Sequence, residues 1–408
     1  MTTPAEALAG READALAPRE RDLLHELVLG TLRRRGPIDH ALGCFVDRPL
    51  KEVEPDLLTI LRLGAHQILN LRVPAYAAVS QTVELARLQA PRGAGFVNAV
   101  LRRLVREGAP PVPDPAREPL KWLTSAGSLP EWLAVRWLSA LGPEAARARA
   151  MACLETPVTA FRLNPRRASA ATEVAAAGVA ARPMTVPGAL RLETGRLQSL
   201  AEAGLVYAQD EASQLVAHVA AHTGRVLDAC AAPGGKALLL ADLERSALVV
   251  ACEPSLSRAG TLQRLVRRWG AANVACVRAD AARAPFATRF DAVLLDAPCS
   301  GLGTIGRNPD IRWRARPGDL GRHAEKQRAL LEALSPLLRP GGRLVYSVCS
   351  LEPEEGALAI EEFLASHRQF RPVAGPGWVD AFASGRFLST RPETHGGDGF
   401  FVAVLERG

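Results

Sequence analysis

The 408-residue sequence has no apolar run long enough to span a bilayer, and its start does not read as a cleavable signal. A membrane-spanning or secreted chain is therefore not expected. Its seven cysteines are odd in number and without paired spacing, which argues against a disulfide framework and fits a reducing, cytoplasmic compartment. There is no Cys-x-x-Cys pair and no Cys/His cluster at zinc-ligand spacing, so no metal is expected. No internal repeat or low-complexity block is visible. What is present is an ordinary globular composition, 48% hydrophobic and 23% charged, over a length that favours two or three domains. The net charge of +7 fits a polyanionic partner, because phosphate contacts dominate nucleic-acid affinity. Nearly all the basic residues are Arg and Ala is abundant, however, so a codon bias would produce part of the same excess.

From about Arg19 to Arg106 the apolar residues recur at helical spacing, as in Leu23, Leu24, Leu27, Val28 and Leu32, and again in Leu57, Leu58, Leu61, Ile68 and Leu69. This predicts an all-helical domain over residues 1–108. The Pro-rich stretch APPVPDPAREP at 109–119 predicts an extended connector, taken as 109–129. Residues 130–200 are expected to form a small α/β extension, helical at first and mixed from TAFRLNPRR at 159–167 onward. Over 201–408, apolar strands alternate with amphipathic helices: RVLDAC, ALVVAC, NVACVR, DAVLLDAP and RLVYSVC. That alternation predicts a Rossmann-like, mostly parallel sheet covered on both faces, with GFFVAVLE at 399–406 as a late strand inserting antiparallel.

The strand Arg225 to Cys230 runs into AAPGGKA, where Gly234 and Gly235 permit a tight turn at a helix start. Alone, such a turn is a common strand-to-helix connection. The strands that follow each end in an acid, Glu253, Asp280 and Asp296, and ligands of open parallel sheets bind at the carboxyl ends of strands. Glu253 stands at the spacing expected of a carboxylate accepting from ribose hydroxyls, and Asp280 is the candidate for the adenine amino group. The turn lacks the Gly-x-Gly-x-x-Gly of dinucleotide enzymes, so an adenosyl ligand without phosphates fits better than a dinucleotide.

Two further strands end in cysteine, Asp296-Ala297-Pro298-Cys299 and Ser347-Val348-Cys349-Ser350. Any single cysteine, like Cys230, Cys252 or Cys276, is more often a buried inert thiol. Two at the cofactor end of one sheet suggest chemistry. Cytosine carbon 5 is too poor a nucleophile to take a methyl group from a sulfonium unaided. A thiolate that adds at carbon 6 makes it enamine-like, and a second group must later help to remove the carbon 5 proton. Asp296 is the candidate for hydrogen bonding the base edge as charge builds there, with Lys236 orienting either the base or the methionine carboxylate.

DACAAPGGKA (228–237), DAPCSGLGTIGRNPDIRW (296–313) and YSVCSLEPEE (346–355) resemble, in order, the motifs of the RsmB/NOP-type RNA cytosine-5 methyltransferases. QDEASQLVA (209–217), FRLNPRR (161–167) and DGFFVAVL (398–405) are similar to further segments of that family. ELVLGTLRRR (26–35), LRLGAHQIL (61–69), VPAYAAVSQTVELA (73–86) and GFVNAVLRRL (95–104) resemble the helical NusB-like, RNA-binding domain of its bacterial members. The resemblance implies transfer of a methyl group from S-adenosylmethionine to cytosine in RNA, most often small-subunit ribosomal RNA. It also implies Cys349 as nucleophile and Cys299 as the group assisting adduct breakdown. Cys230, Ala231, Ala232, Pro233, Gly234, Gly235 and Lys236, with Glu253, Asp280 and Asp296, would form the cofactor site.

Three residues depart from the family pattern: Val348 where Thr is common, Glu253 for the more frequent Asp, and Asn308 for a frequent His. The first helix of the NusB-like domain is expected to be missing, since ERDLLHELV begins only at Glu20. Arg162, Arg166 and Arg167 are the expected RNA contacts, with Arg33 to Arg35, Arg102 and Arg103 as further basic clusters or solvated helix faces. A monomer is expected. A non-catalytic RNA-binding or antitermination module would leave both strand-end cysteines without purpose, and an adenine amino-methyltransferase would want an aromatic residue after Pro298 rather than Cys299.

Overall fold

The computed structural model describes residues 4–8, 10, 15–283 and 286–408. Two compact units divide the chain: Met1–Thr156 with Ile305–Ala315, and Pro157–Thr304 with Arg316–Gly408.

The first unit is helical. Pro55 opens the helix Pro55–Asn70, a position where its missing N–H costs nothing, and one face buries Leu57, Leu58, Leu61 and Ala65. The helix Ala94–Glu107 buries Val97, Val100, Leu101 and Leu104, the spacing of a single stripe. Each such aliphatic side chain contributes about 1.5–3 kcal/mol on burial. The helices approach closely at Gly64, where a Cβ would stand 2.6 Å from Leu101 Cδ1 and 2.8 Å from Thr82 Cγ2. A short helix, Pro4–Leu8, precedes the one at Pro18–His25, so the helical region starts earlier than the reading from Glu20. The Pro-rich connector forms neither helix nor strand from Gly108 to Glu118, but Pro119–Thr124 is helical within the span expected to be extended. The helical stretch Glu131–Ala152, grouped with the α/β extension on sequence, belongs to this unit and is broken at Gly142 (φ +76°), after which Pro143 restarts it.

Ile305–Ala315, assigned with the sheet domain on sequence, also belongs to the helical unit. The reason is one fully buried cation. Arg312 donates to the carbonyls of Arg33 (3.3 Å), Ser128 (3.1 Å), Cys153 (2.9 Å) and Ile305 (3.0 Å). Arg33 donates twice to Gly306 O, and Trp313 Nε1 donates to Leu32 O at 2.7 Å.

The second unit holds two sheets. β1 (Ala160–Leu163), β2 (Ala180–Pro183), β3 (Leu190–Thr194) and β4 (Val206–Ala208) form an antiparallel sheet in the order β2-β3-β1-β4. The larger sheet contains β5 (Arg225–Asp228), β6 (Leu248–Cys252), β7 (Val274–Val277), β8 (Phe290–Asp296) and β9 (Leu338–Val348), parallel and in the order β7-β6-β5-β8-β9. β10 (Phe370–Pro372), β11 (Ala383–Ser384), β12 (Phe387–Thr390) and β13 (Phe400–Arg407) complete it, β13 lying antiparallel on β9. The continuous apolar runs have their explanation in two cores. Along β8, Ala292 and Leu294 pack on one face while Val293 and Leu295 pack on the other, and β13 divides Val402 and Val404 from Phe401, Ala403 and Leu405 in the same way. Strand order reverses between β5 and β8, which opens a crevice at their carboxyl ends.

Candidate active site

The chain leaves β5 at Asp228 and turns through Cys230–Gly234 into the helix Gly235–Leu243. Gly234 has φ +122°, a conformation that side chains disfavour, and a Cβ there would meet Leu262 Cδ1 at 2.8 Å. At Gly235 a Cβ would lie 2.6 Å from Tyr207 Cε1. Gly234 is therefore required by its backbone conformation and Gly235 by its contact with the Tyr207 ring, and no side chain caps the helix start that follows.

Carboxylates gather around this turn. Asp228 is buried, and its carboxyl is pushed up to about 7, first by burial and then by the charge of Asp296. Glu253, 3% exposed just beyond β6, accepts from the Ser255 amide at 2.8 Å and pairs with Arg258 at 2.9 Å. Asp280 follows β7 and accepts from the Ala282 amide at 3.0 Å. Cys230 and Cys252 line the same region as thiols raised by burial, and Cys252 donates to Ala279 O.

Asp296 ends β8 beside Ser347 of β9, and register makes them partners: Ser347 donates to one carboxylate oxygen at 2.7 Å and Lys236 Nζ to the other at 2.7 Å. Burial would lower the Lys236 pKa, but the charge and hydrogen bond of Asp296 outweigh it and raise the net value. Lys236 also lies 5.5 Å from the Phe400 ring. Ser347 was missed by sequence reasoning. Its signal was its place two residues before Cys349, on a strand parallel to the one ending in Asp296.

The loops beyond β8 and β9 bring Cys299 Sγ to 3.2 Å from Cys349 Sγ. Cys299 is pushed well above an ordinary thiol by its hydrogen bond with Cys349 and by burial. The loops are tied to each other. Ala297 N donates to Ser347 O at 2.8 Å, and Gly303 N donates to Cys349 O at 3.0 Å. Gly399 O lies so near Gly303 that a Cβ there would be 1.9 Å from it. Val348, the departure beside Cys349, is fully buried among Tyr346 and Phe401, so its missing hydroxyl falls in the core.

The arginines need correction. Arg162, expected to hold RNA, is 3% exposed; it pairs with Asp242 at 2.9 Å, donates to Gln209 and to Gly235 O, and stacks 4.6 Å over Trp269. Arg166 binds the other oxygen of Asp242 at 2.6 Å as well as Ala241 O and Asn273. Both brace the helix behind the glycine turn, because a buried guanidinium must satisfy its donors inside the protein. Arg167 is exposed, whereas Arg33 is buried. Among the described residues no group of three His, Cys, Asp or Glu is arranged to hold a metal, and no helix is long and apolar enough to cross a membrane.

Residues 212–406 match the family described as 16S rRNA methyltransferase RsmB/F, and residues 3–106 match the NusB family. The chain is 34% identical over 415 residues to the probable ribosomal RNA small subunit methyltransferase B of Bacillus subtilis, covering 97% of this chain and 92% of that protein. It is 37% identical to ribosomal RNA small subunit methyltransferase B of Xanthomonas campestris, with 95% and 89% covered. A solved methyltransferase homolog protein from Pyrococcus horikoshii superposes with a TM-score of 0.61 at 25% identity, over 72% of this chain and 100% of that one. With the glycine turn, the strand-end acids and the two motif cysteines brought to one end of a Rossmann-like sheet, these likenesses identify the chain as a member of the RsmB/F family of ribosomal RNA methyltransferases, with an N-terminal NusB-like domain.

Proposed function

We propose that this chain transfers a methyl group from S-adenosylmethionine to carbon 5 of a cytosine in small-subunit ribosomal RNA, through a covalent bond from Cys349 to carbon 6. The observation that carries the reading is the pair of thiols 3.2 Å apart beside the Lys236–Asp296–Ser347 cluster.

The residues fit the cofactor. The turn Cys230–Lys236 with an uncapped helix start faces a set of acceptors, Glu253 for the ribose hydroxyls and Asp280 for the adenine amine. The cation in the turn, Lys236, is held by Asp296 rather than left to bind a pyrophosphate. When bound, S-adenosylmethionine supplies an electrophilic methyl group.

Cys349, as thiolate, adds at carbon 6, and the ring's electron density moves toward nitrogen 3 and the exocyclic amine. Asp296, immobilised by its two donors, accepts from that amine, and Lys236 stays protonated to offset the developing charge. After carbon 5 accepts the methyl group, its proton passes to the Cys299 sulfur, which has given its own proton to solvent; the C–H pair re-forms the ring double bond and the C6–S pair returns to Cys349 as thiolate. One methyl enters and one proton leaves. RNA is the partner, and the chain acts as a cytoplasmic monomer with Arg167 available to phosphate.

The test is methyl transfer from labelled donor to a small-subunit ribosomal RNA transcript, followed by mapping of 5-methylcytosine. Label confined to an amino group or to a carbon other than 5 rejects the proposal.

A further inference from the structure

Glu355 has no part in the chemistry just described, yet it is fully buried immediately before the helix Ala357–Ser366. A buried carboxylate persists only where donors compensate its lost hydration. Here both oxygens are spent on one residue of the other loop: Ser300 N donates to Oε1 at 2.7 Å and Ser300 Oγ to Oε2 at 2.5 Å. Ser300 Oγ also lies 3.4 Å from Ser350 Oγ, which accepts from the Glu352 amide at 3.2 Å. The backbone of Glu355 is fixed in turn, its N–H donating to Glu352 O at 3.1 Å and its carbonyl accepting from Tyr346 OH.

Ser300 follows Cys299, and Ser350 follows Cys349. The Glu355 carboxylate therefore fixes the residue after Cys299, and through that residue's hydroxyl, 3.4 Å from Ser350 Oγ, the residue after Cys349. Bidentate charge-assisted bonds fix orientation as well as distance, and proton transfer between reacting groups is sensitive to shifts of a fraction of an ångström. From this geometry we infer that Glu355 is a positioning residue that holds Cys299 against Cys349, and so sets the rate at which the covalent RNA adduct is resolved. The inference rests on the cytosine-5 reading for the adduct, but the thiol geometry is measurable without it.

The experiment uses the full-length chain and its Glu355→Gln and Ser300→Ala variants, each checked for unchanged circular dichroism. Gln cannot accept both donors and turns an N–H toward one of them, whereas Ser300→Ala keeps the backbone bond. Without RNA, diamide oxidises the two thiols to a disulfide and is itself reduced to the hydrazine; quantifying Cys299–Cys349 linkage by mass spectrometry reports their alignment. With ribosomal RNA and labelled donor, turnover and the denaturation-resistant protein–RNA adduct are measured together. Expected for Glu355→Gln is about tenfold slower linkage and about tenfold slower turnover with adduct accumulating, and for Ser300→Ala a smaller change of the same kind. A merely structural role would lower active protein without accumulating adduct, and that outcome, or linkage at the wild-type rate, overturns the inference. Wild-type protein that links its thiols but places no methyl on carbon 5 would instead refute the cytosine-5 reading.

Discussion

The helical unit and the sheet unit bury charge by different means. In the helical unit the fully buried cation Arg312 is held by four carbonyl oxygens, which accept from its two terminal nitrogens, and burial pushes its pKa down to about 10. In the sheet unit Arg162 and Arg166 share the carboxylate of Asp242, behind the glycine turn, while Asp228, Glu253 and Asp296 are gathered around it. The first arrangement stitches a distant segment into a bundle. The second holds polar groups in fixed positions at strand ends, where carboxylates and a lysine of shifted proton affinity can serve a reaction.

The contrast is broken most directly by separating chemistry from architecture. Cys349→Ala is expected to lower methyl transfer on the order of a thousandfold or more while leaving thermal unfolding unchanged. Cys299→Ala should instead leave a protein–RNA adduct that survives denaturing electrophoresis. Transfer at the wild-type rate by the Cys349 variant would remove the sheet unit's claim to be the reactive one.

Next come the two buried arginines. Arg312→Ala leaves four carbonyls unsatisfied and is expected to destabilise the protein by about 2–4 kcal/mol, with cofactor affinity unaltered. Arg162→Ala strands the Asp242 carboxylate with fewer partners, for a loss of about 3 kcal/mol, and it also frees Gly235 O in the glycine turn. Chemical denaturation and calorimetric titration with S-adenosylmethionine distinguish them: weakened cofactor binding in the Arg312 variant but not in the Arg162 variant would invert the comparison.

The last expected effect is that of pH. Asp228 has a folded-state pKa of about 7 against an ordinary carboxylate value of 3.8. Between those values the native state binds a proton that the unfolded chain does not. Stability from this group is thus full below pH 4 and falls as pH rises toward 7, by up to a few kcal/mol. Asp228→Asn should flatten that segment of the curve, measured as unfolding midpoint against pH. An unchanged slope would show that burial of Asp228 costs nothing.

Much of this architecture could be read from residue patterns. The 3.6-residue stripe in Ala94–Glu107 and the two-faced apolar runs of β8 and β13 follow from local stereochemistry, so their sequences declare them. The glycine turn, the strand-end acids and both cysteines were likewise visible. Arg162 was misread because an arginine on a strand looks the same whether it faces solvent or an aspartate eighty positions away. The partners of Ser347 and Glu355 were hidden for a related reason, since strand register and loop approach join residues far apart in the chain.

By itself the sequence determined the alternation of strands and helices, the helical character of the N-terminal part, and the reactive residue types at strand ends, because these depend on periodicity and on neighbours within a few positions. Only the tertiary structure decided that Ile305–Ala315 belongs to the helical unit, that Arg162 is a brace, and that two sulfurs fifty residues apart stand 3.2 Å from each other. Those outcomes depend on which distant donors and acceptors burial brings together, and burial is a property of the whole fold.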